Sequence, residues 1–215
     1  MKYTASLVKS NIDERLMQKR KEALERGVPV ADDETLQFLL VTLAMTKPTR
    51  ILEIGTAVGL SGVAMLKACE NAKLTTIELE EERYLEALKN FSLFGVENRV
   101  TAHLGDAGEI LSMMDGEYDF VFLDGPKAQY EKYLFDLKRV MKAGATLFSD
   151  DVLLFGWVSG EEETPQKRRS IVEKIRSYLE VITTDKDFVT SVVNVGDGVA
   201  LSVYHPSEEN KRGKL

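Results

Sequence analysis

From residue 50 onward the chain alternates short apolar stretches with amphipathic ones, and this alternation restricts its fold more than any other feature. Strand-like stretches occupy 50–54, 74–77, 100–104, 118–123 and 145–149, and most of them are separated by stretches with helical spacing. Short buried strands that alternate with helices build βαβ units and a mostly parallel sheet. The sequence therefore predicts a doubly wound α/β fold.

Two helices are predicted ahead of this alternation. The first covers residues 5–26, and Pro29 separates it from the second. The second takes Asp32 or Asp33 as its cap and ends before Pro48. These helices lie outside the repeating βαβ pattern.

The end of the chain follows a different pattern. Two strand-like stretches, 188–194 and 199–204, flank the sequence Val195-Gly196-Asp197-Gly198, whose glycines suit a tight reversal. We expect this antiparallel hairpin to extend the edge of the parallel sheet. The whole fold is then a seven-stranded, mostly parallel, Rossmann-like sheet with a C-terminal antiparallel hairpin.

The length of 215 residues fits one domain over 1–215, in which 1–28 is an N-terminal helical extension and 206–215 a flexible tail. A single cysteine excludes a disulfide framework and a cysteine-rich zinc site. No apolar run approaches the ~18 residues of a membrane span, and the first residues lack the apolar core of a signal peptide. We therefore predict a cytoplasmic protein that makes no membrane contact.

The net charge of −7 disfavours avid nucleic-acid binding, which depends on neutralising phosphates. Basic residues nevertheless cluster in 1–26, 167–169 and 211–214. Such clusters are typical of solvated helix faces and chain ends. A shallow contact with RNA is the other interpretation, and the sequence leaves both open.

A glycine-rich segment follows the first strand, with glycines at 55, 59 and 62. Their spacing differs from the G-x-G-x-x-G of dinucleotide folds, which disfavours a pyrophosphate cradle and an NAD-linked oxidoreductase. The acidic Glu53 would repel a pyrophosphate but suits the cationic methionine end of S-adenosylmethionine. The alternative for this segment is a purely structural turn.

Acidic residues also follow the second and third strands. Glu78 is placed to accept the hydroxyls of a ribose, as acids do in nucleotide-binding α/β folds. Asp106 is placed to accept an adenine amino group, and Ala107 leaves room for the ring. The alternatives are that Glu78 caps the next helix and that Asp106 is an ordinary loop aspartate.

The fourth and fifth predicted strands end in Asp124 and in Asp150-Asp151. Three acids in one cleft repel each other unless a cation lies among them, and oxygen-only ligands indicate Mg²⁺ or a similar hard ion. Lys127, three residues after Asp124, is a candidate general base if desolvation lowers its pKa. The alternatives are helix-capping aspartates and a solvated lysine.

Several motifs in order resemble the Mg²⁺-dependent O-methyltransferases related to catechol and caffeoyl-CoA O-methyltransferases. They are the segments 30–38, Leu52-Glu53-Ile54-Gly55, 118–124, the D-x-x-K-x-x-Y run 124–130, Asp150-Asp151 and 195–198. The resemblance implies cofactor contacts from Ala31, Glu53, Gly55, Ser61, Glu78, Asp106, Ala107 and Asp124. It implies metal ligation by Asp124, Asp150 and Asp151, with Lys127 as the base. This chain departs from the family at Asp151, where asparagine is usual.

The stretch 150–156 and the basic residues after it are similar to the tRNA 5-hydroxyuridine methyltransferases. The sequence thus predicts a Mg²⁺-assisted, S-adenosylmethionine-dependent O-methyltransferase that acts on tRNA in the anticodon region and converts 5-hydroxyuridine to 5-methoxyuridine. The alternative acceptor is a small catechol-like or phenolic molecule. A homodimer is expected. A degenerate fold kept only for binding is the competing class, and the survival of the acids, Lys127 and the glycine segment disfavours it.

Overall fold

The computed structural model describes residues 12–207. The helices are Glu14–Glu25 (α1), Asp33–Thr46 (α2), Leu60–Ala68 (α3), Glu81–Leu93 (α4), Ala107–Met113 (α5), Tyr130–Val140 (α6) and Arg169–Thr184 (α7). The strands are Arg50–Ile54 (β1), Lys73–Glu78 (β2), Val100–Leu104 (β3), Tyr118–Leu123 (β4), Met141–Ser149 (β5), Phe188–Val193 (β6) and Val199–Tyr204 (β7). Short 3₁₀ turns cover Glu97–Arg99, Lys127–Gln129 and Gln166–Arg168.

The seven strands form one sheet in the order β3-β2-β1-β4-β5-β7-β6. β2 is parallel to both β1 and β3, and β4 is parallel to β5. β7 is antiparallel to both β5 and β6. The predicted seven-stranded, mostly parallel sheet with a C-terminal antiparallel hairpin is therefore confirmed. The helices α5 and α7 were not predicted.

The chain forms two compact units, the first ending at Ala107 and the second beginning at Gly108. In the first unit, β1 contributes Ile51, Leu52 and Ile54, which have no exposed surface. Helix α2 begins as predicted, since the Asp32 side chain accepts a hydrogen bond of 2.8 Å from the Thr35 amide. Residues 5–11 of the predicted first helix lie outside the described residues.

The second unit holds β4 to β7 with α6 and α7. Helix α7 buries one face, formed by Val172, Ile175, Tyr178 and Ile182. This spacing of three or four residues is that of an amphipathic helix on a sheet. Within 12–207 no helix has both the length and the apolarity needed to cross a membrane. Most of the predicted tail, from 208 on, lies outside the described residues, as do the basic residues of 1–11 and 211–214.

Candidate active site

In the first unit the register of the parallel strands brings three strand ends to one edge. Ile54 pairs with Ile77, and Glu78 pairs with Leu104. The segment after β1 is tied to β2, because the Gly55 amide donates to the Ile77 carbonyl at 3.0 Å. Carboxyl ends of parallel strands are where such folds bind ligands. The predicted cofactor residues after β1, β2 and β3 therefore share one edge of the sheet.

Glu53 lies in β1 with no exposed surface. Its carboxylate accepts hydrogen bonds from the Ser61 and Thr76 hydroxyls, both at 2.6 Å. Hydrogen-bond donors of this kind replace the water that a buried carboxylate loses. The predicted direct contact of Glu53 with the cofactor stays a prediction. In this arrangement Glu53 therefore orients Ser61, which is half-buried, and Thr76 is a contributor that the sequence analysis missed.

Glu78 organises the turns around it. One carboxylate oxygen accepts the Ala57 amide at 2.7 Å, and the other accepts the Leu79 and Glu80 amides, both at 2.9 Å. Glu78 thus holds the glycine segment and the turn that leads into α4, but it does not cap that helix, whose N-cap position is Glu80. A carboxylate oxygen has two acceptor sites, so the oxygen on Ala57 keeps one for a further donor.

The glycines of this segment are required by their surroundings. A Cβ on Gly62 would lie 2.7 Å from the Leu74 side chain, and Gly59 has a φ of +78° that favours glycine.

The other predicted cofactor residues of the first unit differ in exposure. Asp106 is exposed and directly precedes α5, and Ala107 is buried. The carbonyl of Ala31 accepts a hydrogen bond of 2.6 Å from the buried Arg20 guanidinium.

In the second unit, β4 and β5 place the remaining predicted residues together. Leu123 pairs with Ser149, and the Asp150 amide donates to the Leu123 carbonyl at 3.0 Å. Asp124 and Asp150 therefore follow neighbouring strand ends. The Lys127 ammonium lies 2.5 Å from an Asp124 oxygen and 3.0 Å from an Asp151 oxygen. Asp124, Lys127 and Asp151 are thus in direct contact, and Asp150 follows the neighbouring strand end, where its side chain accepts the Asp151 amide at 2.8 Å.

The cluster is supported from two sides. The Tyr130 hydroxyl lies 2.9 Å from the Leu123 carbonyl and 3.1 Å from the Asp150 carbonyl. The segment after Asp151 is held by the β6–β7 turn, since the Val152 amide donates to the Gly198 carbonyl at 2.9 Å. Asp151 itself has a φ of +57°, a left-handed conformation that asparagine and aspartate tolerate best among residues with a side chain.

Burial and mutual repulsion set the protonation of the acids. Burial raises the pKa of Asp150 well above its ordinary value, and the nearby Asp124 and Asp151 raise it further. Burial also raises the pKa of Asp124, although the Lys127 ammonium acts against it. Each of these shifts reflects the cost of keeping negative charges close together without water.

Lys127 differs from the expectation. Burial lowers its pKa, but the attraction of Asp124 and the effects of Tyr130 and Asp151 outweigh burial, so the pKa of Lys127 lies well above its ordinary value. The predicted lowering of this pKa is therefore wrong for the arrangement in the structure. The physical reason is that the carboxylates stabilise the ammonium more than desolvation destabilises it.

A divalent cation fits the chemistry of this cluster, since three carboxylates supply only oxygen ligands and repel one another. Their side chains are not gathered around a common point, however. Among residues 12–207, no group of three or more acidic, histidine or cysteine side chains is arranged to hold a metal ion. The Lys127 ammonium instead bridges Asp124 and Asp151. The predicted Mg²⁺ site stays a prediction.

The strand order and the helices of this chain define the Rossmann-like fold of class I methyltransferases. The sequence model of the O-methyltransferase family matches residues 5–204, and the chain therefore belongs to that family.

Individual relatives extend the comparison. The caffeoyl-CoA O-methyltransferase of Populus kitakamiensis is 29% identical over 81% of this chain and 77% of its own length. The catechol O-methyltransferase of Niastella koreensis is 26% identical over 89% of this chain and 90% of its own length. The solved structure of the O-methyltransferase TomG from Streptomyces achromogenes, in complex with S-adenosylmethionine, is 27% identical, has a TM-score of 0.80 and covers 95% of both chains.

Proposed function

We propose that this protein transfers the methyl group of S-adenosylmethionine to a hydroxyl of a small catechol-like or phenolic acceptor. The observation that carries the proposal is the group of the buried Asp150 and the half-buried Asp124, Lys127 and Asp151 at neighbouring strand ends in a member of the O-methyltransferase family. The TomG complex supports the choice of methyl donor. The relatives named for catechol and caffeoyl-CoA favour the small acceptor over the predicted tRNA.

The cofactor would lie along the strand ends of the first unit. Glu78 would accept the ribose hydroxyls with its remaining acceptor site, and Asp106 would accept the adenine amino group beside Ala107. Ser61, oriented by Glu53, would face the methionine end near Gly55. The proposal also keeps Ala31 and Asp124 as cofactor contacts, as the family resemblance implies.

A divalent cation held by Asp124, Asp150 and Asp151 would orient the two neighbouring oxygens of the acceptor, lower the pKa of the reacting hydroxyl and offset the charge that holds the Lys127 proton. With Asp124 and Asp151 engaged by the cation, the Lys127 ammonium would release its proton to solvent, and the neutral amine then takes the hydroxyl proton at Nζ. The acceptor oxygen forms a bond to the methyl carbon while the bond from carbon to sulfur breaks. The electron pair stays on sulfur, and S-adenosylhomocysteine is the product. The residues that align donor and acceptor supply much of the acceleration.

The acceptor is tested with purified full-length protein, S-adenosylmethionine and Mg²⁺. One reaction contains a catechol, a second contains the matching monophenol, and a third contains tRNA bearing 5-hydroxyuridine. We expect S-adenosylhomocysteine to form faster with the catechol than with the monophenol, because only neighbouring oxygens can chelate the cation. We expect it to form faster with the catechol than with the tRNA, because the net charge of −7 disfavours a polyanionic acceptor. Methylation of the tRNA alone would contradict the small-molecule proposal.

The metal is tested by Asp150→Ala and by excess EDTA. Each is expected to lower turnover at least ~100-fold, the scale of losing a preorganised charge at the reacting centre. Asp150 lies in the second unit, so the dissociation constant for S-adenosylhomocysteine should stay within about twofold. Full turnover in EDTA would remove the metal from the proposal.

The homodimer also stays a prediction, which light scattering in solution can check.

A further inference from the structure

Tyr130 joins the two backbone segments that carry all three acids of the cluster. Its side chain has no exposed surface. The Leu123 carbonyl, 2.9 Å from the hydroxyl, belongs to the peptide group that leads into Asp124. The Asp150 carbonyl, at 3.1 Å, belongs to the peptide group between Asp150 and Asp151. One hydroxyl therefore contacts both peptide groups from which the acids project.

The ring of Tyr130 is also fixed in place. Tyr130 is the first residue of α6 and follows the 3₁₀ turn Lys127–Gln129. Its ring packs edge-on against the buried Tyr178, with centroids 5.4 Å apart, and the Lys127 ammonium lies 5.8 Å from its centroid. A buried ring held by these contacts has little freedom to move its hydroxyl. The hydroxyl is thus a fixed spacer between the two strand ends.

We propose that Tyr130 is a positioning residue that sets the spacing of Asp124 against Asp150 and Asp151 for a divalent cation. The inference rests on the metal-assisted activity proposed above. The hydrogen bond from the Asp150 amide to the Leu123 carbonyl ties the two strand ends together. The Tyr130 hydroxyl adds a second connection at the same place. Residues that hold the ligands of a metal from behind commonly change metal affinity 10- to 100-fold when they are altered.

Tyr178 provides a matched control. It is also a tyrosine without exposed surface, and its hydroxyl lies 2.5 Å from the Ser149 hydroxyl. Its hydrogen-bond partner is thus a side chain, whereas Tyr130 contacts backbone carbonyls. Tyr130→Phe and Tyr178→Phe each remove one buried hydroxyl from the same pair of rings packed edge to face. A purely structural role predicts similar effects of the two substitutions.

The test uses Mn²⁺ as the probe and measures the free ion by electron paramagnetic resonance during titration of the full-length protein. We expect Tyr130→Phe to weaken Mn²⁺ binding at least tenfold, whereas Tyr178→Phe should change it less than about threefold. Binding of S-adenosylhomocysteine, followed by calorimetry, should stay within about twofold in both variants. In turnover assays, excess Mg²⁺ should restore the kcat of Tyr130→Phe.

The outcomes separate this inference from the proposed function. Wild-type protein that binds Mn²⁺, together with variants that weaken binding equally or not at all, would overturn the role of Tyr130 and leave the metal site standing. Wild-type protein that binds no Mn²⁺ and methylates fully in EDTA would overturn the metal and the inference together. If Tyr130→Phe folds too weakly for the titration, variant and wild type are both titrated with saturating S-adenosylhomocysteine, which stabilises the folded state; equal Mn²⁺ affinities would then overturn the role of Tyr130.

Discussion

The two compact units stabilise their buried carboxylates in different ways. In the first unit, Glu53 and Glu78 accept hydrogen bonds from hydroxyls and backbone amides. In the second, Asp124 and Asp151 are held by the Lys127 ammonium, and the pKa of Asp150 is raised by burial and by its acidic neighbours. Neutral donors fix a carboxylate rigidly without cancelling its charge. The second arrangement leaves repulsion that a cation can relieve, which suits a reacting centre better than a binding surface.

The largest effect should come from removing the lysine of the second unit. Lys127→Met is expected to lower kcat by about 10²- to 10⁴-fold, the usual contribution of a general base, with little change in S-adenosylhomocysteine binding. Lys138→Met is the matched control, because Lys138 also bridges two aspartates, Asp185 and Asp187. It should reduce stability without a comparable loss of kcat. Equal losses of kcat in both variants would make Lys127 a structural lysine.

A smaller effect is expected from the neutral donors of the first unit. Thr76→Val removes a hydroxyl that donates to the buried Glu53 and should weaken S-adenosylhomocysteine binding about tenfold, since hydrogen bonds to charged groups contribute about 1.5–3 kcal/mol. Thr76→Ser keeps the hydroxyl and should restore most of the affinity. Calorimetric titration measures both. Unchanged affinity in Thr76→Val would mean that Glu53 does not act on the cofactor site through its donors.

The pH dependence of stability should also distinguish the units. The raised pKa of Asp150 means that the folded state binds a proton more tightly than the unfolded state, so without divalent cations stability should fall as pH rises from about 4 through the raised pKa. Each unit of elevation corresponds to about 1.4 kcal/mol.

Urea unfolding at several pH values in EDTA measures this slope. The unfolding free energy of Asp150→Asn should change less with pH in this range, and this variant should be more stable than the wild type at pH 7. In contrast, Glu53→Gln should be less stable than the wild type, because the amide loses the charge that the Ser61 and Thr76 hydroxyls stabilise. If the stability of Asp150→Asn depended on pH as steeply as that of the wild type, or more steeply, the raised pKa of Asp150 would not be the cause of the slope.

The smallest effect concerns Asp151. Asp151→Asn keeps an oxygen ligand and a residue that tolerates φ of +57°, and it removes only a partly exposed ion pair with Lys127. We expect a change in kcat of less than about fivefold. Asp151→Ala loses the oxygen as well and adds about 1–2 kcal/mol of backbone strain, so its kcat should fall much further than that of Asp151→Asn. Similar kcat values for the two variants would exclude Asp151 as a ligand.

Much of the fold and of the site could be predicted because parallel strands end at one edge of a sheet. From the strand pattern alone, this rule placed Glu78 and Asp106, and likewise Asp124 and Asp150, at the ends of parallel strands. Helix α7 was missed although Val172, Ile175 and Ile182 already show helical spacing. Helix α5 has only seven residues and too little periodicity to be recognised.

The contacts between side chains were harder to predict. Thr76 and Tyr130 act through hydroxyls whose partners come from other elements, and sequence spacing does not specify such pairs. The pKa of Lys127 depends on whether its ammonium reaches Asp124 and Asp151 or stays apart from them. Separation along the chain left both outcomes open, and the structure decides for contact.

The hydrogen bond from Val152 to the β6–β7 turn also bears on the order in which the protein is made. The segment that carries Asp150 and Asp151 is anchored to Gly198, where a Cβ would lie 2.3 Å from the Leu153 side chain. On the ribosome, the acids emerge well before this anchor does. The strands of the first unit are complete at residue 104. The segment after Asp151, in contrast, is fixed only when the β6–β7 hairpin has been synthesised. A ribosome stalled before residue 195 should therefore display a nascent chain that retains S-adenosylhomocysteine but not Mn²⁺.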